Sequence, residues 1–125
     1  MIYLFNQFTK TFFMAGKPIP VSTANDMKRL YVDYMVKLGV DMDHQTQSVS
    51  FTNDAFSDWL STVKPYTDEL RIFMGVYPDG HAQAGRTTVI LWPYKDGQPA
   101  SKPLTLGKDG DNEGLPPYNE GTGHP

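Results

Sequence analysis

The chain contains no cysteine, which excludes disulfides, thiolate zinc sites and cysteine nucleophiles together and suits a reducing compartment. It has no excess of basic charge: 11 Lys and Arg stand against 14 Asp and Glu, leaving no basic patch for a phosphate backbone and arguing against nucleic acid as a partner. Long apolar runs are missing as well. No stretch approaches the roughly 18 consecutive apolar residues of a membrane span, so no membrane partner is expected. The aromatic segment Met1–Phe13 lacks a basic n-region and is interrupted by Asn6, Gln7, Thr9 and Lys10. It does not read as a secretory leader, and cytoplasmic is the default localisation. There is no G-x-S-x-G, Walker loop or dinucleotide fingerprint, so the common acyl-transfer and nucleotide enzymes have no support.

What is present organises itself around Glu69–Gln98. Leu70, Ile72, Met74 and Val76 share one face at period 2, with Arg71, Phe73, Gly75 and Tyr77 on the other. Bulk on both faces reads as a central or doubly covered strand. Thr87–Trp92 repeats the pattern with a β-branched run, so the two form a core hairpin. Asp96-Gly97 then supplies the pair of positive-φ positions a type I′ turn needs, and a third strand is expected over Lys102–Leu106, at an edge because of Pro103.

Two helices precede this hairpin. Thr23 with Asp26 resembles a capping box, and Met27, Leu30, Tyr31, Tyr34, Met35 and Leu38 form a core-packing stripe that ends at Gly39. Residues 45–51 allow a short edge strand. The second helix starts at an N-cap Thr52, with Asp54 in its first turn and Phe51 stapled to Phe56. It buries Phe56, Trp59, Leu60 and Val63 and closes at Pro65. The expected fold class is α+β: two amphipathic helices packed on a three- to four-stranded antiparallel sheet. The expected organisation is a variable N-terminal segment 1–16, a single domain 17–106 and a loop-like acidic, Gly- and Pro-rich tail 107–125 that either wraps the domain or is loose.

Candidate chemistry is sparse, and each candidate has a plainer reading beside it. In the tail, Asp109, Asp111, Glu113, Gly114 and Glu120 match positions 1, 3, 5, 6 and 12 of the calcium pattern D-x-[DN]-x-[DN]-G-x₅-E, with Glu113 as the departure. The loop is similar to an EF-hand in spacing only, since Pro116 and Pro117 interrupt it and no helix flanks it. A solvated tail has the same composition, so the expected cofactor set is none, with calcium as the exception to test. Asp41, Asp43 and His44 could meet a divalent ion or form a solvated turn. His81, in the 79–85 loop between the core strands, could act as acid or base beside Arg71 and Arg86, or simply be exposed. Asp54 and Asp58 could pair as acid and base, although such pairs more often form a solvated helix face. His124 stands alone.

Pro18-Ile-Pro-Val21, Arg71–Pro78, Gly85-Arg-Thr-Thr-Val89 and Tyr118-Asn119 together resemble a group of small bacterial proteins with no assigned function. The resemblance spans most of the chain after residue 17, carries no catalytic residue with it, and implies that residues 1–15 are the more variable part. The leading expectation is a non-enzymatic interaction or self-associating module, a homo-oligomer anchored by Phe73, Tyr77, Trp92, Phe12 and Phe13. The alternatives are a hydrolase-like or metal-dependent enzyme using His81, and a small-ligand binder with its pocket between sheet and tail.

Overall fold

A computed structural model describes residues 15–103 and 112–125. The protein is α+β, and its chain falls into two compact units, 1–39 and 40–125. None of the helices among the described residues is long and apolar enough to cross a membrane.

The first unit contributes helix α1, Val21–Lys37. Its start differs from the predicted capping box: Pro20 is the N-cap at φ −60° and ψ 147°, no side chain caps the helix, and Asp26 instead pairs with Arg29 at 3.3 Å. Proline's restricted φ already suits the residue that leads into a helix, so α1 begins two residues before Thr23. Its end is as expected. Gly39 at φ 84° donates its N–H to the Val36 carbonyl at 2.9 Å, in the left-handed conformation glycine adopts without strain. The apolar stripe is also present at helical spacing, but contrary to the expectation of a core-packing helix, no α1 residue is buried; Leu30 is 59% and Tyr34 62% exposed.

The second unit holds β1 (Ser48–Ser50), α2 (Asn53–Val63), a 3₁₀ turn (Lys64–Tyr66), β2 (Glu69–Val76), β3 (Thr87–Lys95), β4 (Gln98–Pro99), β5 (Ser101–Pro103), β6 (Asn112–Gly114) and β7 (Thr122–His124). Thr52 caps α2 as its sequence predicts, its Oγ1 accepting the Ala55 N–H at 3.4 Å. β2, β3 and β4 form an antiparallel three-stranded sheet in that order, and the β3–β4 turn has Asp96 at φ 52° and Gly97 at φ 78°. The third strand therefore returns immediately after the turn. Ser101–Pro103 belongs instead to a separate ladder with Asn112–Gly114, and the rest of the predicted strand, 104–106, lies outside the described residues.

The C-terminal segment is not a loop at the margin. β7 pairs with β1, and Tyr118 forms a β-bridge with Leu91, donating to its carbonyl at 2.8 Å and accepting its N–H at 2.9 Å. The Tyr118 ring lies 5.1 Å from Phe51, 6.0 Å from Phe56 and 4.8 Å from Trp59, while the Trp59 indole donates to the Pro116 carbonyl at 3.2 Å. Phe51 and Phe56 thus both meet the Tyr118 ring. Val63, Ala100 and Leu115 form the buried core, with Trp59 and Leu60 packed against it.

Gly121 fits this segment closely. A Cβ there would come within 2.6 Å of Phe51 Cε1 and Val49 Cγ1 and within 2.7 Å of the Ser50 carbonyl oxygen. Because one of these neighbours is backbone, Gly121→Ala should destabilise by about 1–3 kcal/mol in urea unfolding. Gly114→Ala is the control: it has nothing within 4 Å and should be nearly neutral. Equal midpoints for the two variants would contradict this packing.

Candidate functional site

Two features of the second unit stand out from ordinary surface. The first is the free edge of the sheet. Leu91 directs its backbone N–H and C=O to Tyr118, so it faces away from β2. Its partner across the ladder is Ile72, and antiparallel pairs alternate between bonded and unbonded positions. Ile72, and by alternation Leu70, Met74 and Val76, therefore point their backbone groups outward. The Tyr77 N–H donates to the Arg86 carbonyl at 3.0 Å, placing the odd residues in the bonded set. Among the described residues β2 pairs with β3 alone, which corrects the expectation of a central strand.

The side chains of that outward set are apolar, and three are open to solvent: Ile72 66%, Met74 71% and Val76 62% exposed. Across the ladder Leu91, opposite Ile72, and Pro93, opposite Leu70, are buried, so burial on this face falls off from β3 to β2. Natural edges are usually protected by lysine, proline, a bulge or a covering element. Between Leu70 and Val76 the only charge is Arg71, and it is turned to the opposite face, 2.8 Å from Glu69 and 4.2 Å above the Tyr94 ring.

That opposite face carries the predicted aromatic anchors. Phe73 meets Trp92 edge-on at 5.8 Å and Tyr94 at 6.1 Å. Tyr77, only 9% exposed, faces inward, with its hydroxyl near Thr88 Oγ1 and its ring stacked 4.2 Å from His81. Phe12 and Phe13 lie outside the described residues.

The second feature is a polar cleft of about 280 Å³ at the other end of the hairpin, lined by Tyr77, Arg86, Thr88, Glu120, Gly121 and Gly123 among others. His81 sits at its border. The Gln83 N–H donates to Nδ1 at 2.9 Å, so the ring proton is on Nε2, which donates to Glu120 Oε1 at 3.0 Å. Both ring nitrogens of His81 are thus engaged, and the Nε2 bond helps to hold Glu120 in place. Arg71 is six residues before Tyr77 along the strand, about 20 Å at strand rise. The three residues of the predicted catalytic group therefore do not converge; only His81 and Arg86 share this end.

Of the calcium pattern, Glu120 is engaged by His81, Glu113 lies in β6, and Asp109 and Asp111 are outside the described residues. Among the described residues no group of three or more His, Cys, Asp or Glu is arranged to hold a metal ion. Asp54 and Asp58 are exposed on α2. Asp41 Oδ2 pairs with His44 Nδ1 at 2.7 Å, while Asp41 Oδ1 accepts the Asp43 N–H at 3.1 Å, which makes a closed turn. The Asp41–His44 hydrogen bond lowers the Asp41 pKa below its usual 3.8 and raises that of His44 above 6.5. The raised His44 contributes below 6.5 and loses its contribution as pH rises through its folded-state value; the lowered Asp41 contributes above 3.8 and loses it as pH falls. His44 should accordingly titrate above 6.5 by NMR and return to that value in Asp41→Asn. Coincident titrations in parent and variant would contradict the pairing.

Sequence reasoning grouped Ile72, Met74 and Val76 correctly but not as an open surface, and it missed the His81–Glu120 link across 39 residues. Comparison with family models, curated proteins and solved structures finds no match.

Proposed function

We propose that the protein is a self-associating interaction module in which the β2 edges of two copies pair antiparallel and join two three-stranded sheets across a two-fold axis. The observation that carries this reading is the eight-residue strand whose outer edge pairs with nothing among the described residues, with outward backbone groups and with Ile72, Met74 and Val76 more than half exposed. Exposed strand edges of this kind recruit another strand, since pairing satisfies the backbone and buries the side chains together.

A second copy fits because the strand is complementary to itself. With the axis at Phe73, Leu70 falls opposite Val76 and Ile72 opposite Met74, all at outward-facing positions. The two Phe73 rings meet on the other face, and Arg71 falls opposite Gly75, so no like charges oppose each other. Light scattering should give twice the mass of one chain. A single-chain mass at concentrations up to about 1 mM, meaning binding weaker than about 4 kcal/mol, would overturn the proposal.

A further inference from the structure

We infer that the cleft between the hairpin base and the C-terminal segment is a binding site for a small zwitterion, an α-amino acid, with its carboxylate on Arg86 and its ammonium group on Glu120. Arg86 and Glu120 both line the same cavity, yet among the described residues they form no ion pair with each other. Opposite charges at one cavity that do not pair with each other leave room for a molecule that carries the complementary charges. Arg86 presents a planar donor fork suited to a carboxylate.

Glu120 is held in place for this role. It is one of the non-glycine residues at positive φ, at 70°, a conformation that costs energy and persists only where the surroundings enforce it. Here the enforcement is visible. Tyr118 is bridged to Leu91, Asn119 Nδ2 donates to the Val89 carbonyl at 2.6 Å and to Thr88 Oγ1 at 3.2 Å, and Gly121 packs where no side chain fits. His81, itself fixed by the Gln83 N–H and by stacking on Tyr77, donates one hydrogen bond to the Glu120 carboxylate. The side chain remains 68% exposed, so the carboxylate keeps acceptor capacity toward the cleft.

Size narrows the ligand class. A cavity of about 280 Å³ has the volume of about nine waters, which suits an amino acid and is too small for a nucleotide or a folded peptide. Four threonines, Thr46, Thr87, Thr88 and Thr122, are among the lining residues and no large aliphatic side chain is, so a small or polar side chain is favoured over a large apolar one.

The test is a titration of the full-length protein with each of the standard L-α-amino acids, followed by amide NMR. The expected result is saturable shifts at Thr87, Thr88, Gly121 and Gly123 with at least one small polar amino acid, with acetate and methylammonium binding at least about tenfold more weakly because each meets only one charge. Arg86→Gln, a change at an exposed position, should weaken binding by about tenfold or more, and Glu120→Gln likewise. No shift with any amino acid at about 10 mM would overturn the inference, as would acetate binding as tightly as the best amino acid, or binding unchanged in both variants.

Discussion

Replacing Met74 with lysine should turn the proposed dimer into a monomer, weakening association by about a hundredfold or more, equivalent to about 3 kcal/mol. Met74 is 71% exposed, so the substitution leaves the packing of the subunit largely alone. In the proposed pairing it lies opposite Ile72 of the other copy, where an ammonium group would be taken from water with no acidic partner nearby. Lysine on an edge strand is the commonest natural device against this kind of pairing. Sedimentation velocity on the parent and on Met74→Lys reads the effect directly, with unfolding midpoints confirming that the fold is intact. A variant that stays dimeric would place the interface elsewhere.

Tyr118→Ala should cost about 3 kcal/mol of folding stability, comparable to losing another large aromatic from a packed cluster. Its ring is where Phe51, Phe56 and Trp59 meet, and its backbone forms the bridge to Leu91, so it ties α2, the C-terminal segment and the sheet together. Tyr118→Phe retains ring and backbone and should remain within about 0.5 kcal/mol of the parent. Urea unfolding of both variants decides the point. An alanine variant as stable as the phenylalanine variant would mean that the segment is not part of the cooperative fold.

Much of the local structure is readable because it depends on a few adjacent residues. Asp96-Gly97 needs only a turn with two positive φ angles, Thr52 needs only the N–H of Ala55, and the α2 stripe from Phe56 to Val63 needs only the helical repeat. The C-terminal segment was not readable for the opposite reason. Thr122-Gly123-His124 shows no apolar alternation, and it is a strand because Ser48–Ser50 lies beside it, a pairing across more than seventy residues. The same holds for His81 and Glu120, which only the fold brings together.

The aromatic hairpin shows where pattern and topology part. Spacing places Ile72, Met74 and Val76 on one face of β2, and apolar bulk on both faces makes the strand look central. Whether a face is covered depends on which element lies over it, and on this face burial falls from Leu91 on β3 to the exposed Ile72 opposite it on β2. The same limit applies to α1, whose stripe from Met27 to Leu38 is drawn correctly by helical spacing although spacing supplies nothing to cover it. A strand with the composition of a central one, standing at an edge, is consistent under the proposed pairing: in the dimer it becomes central.

The most direct test is amide hydrogen exchange along β2 at two protein concentrations. Pairing through the outer edge expects the Ile72 and Met74 amides to be protected when the protein is concentrated and to exchange freely on dilution, while the Phe73 amide, bonded inward to β3, stays protected throughout. Free exchange at Ile72 and Met74 at both concentrations would contradict edge pairing.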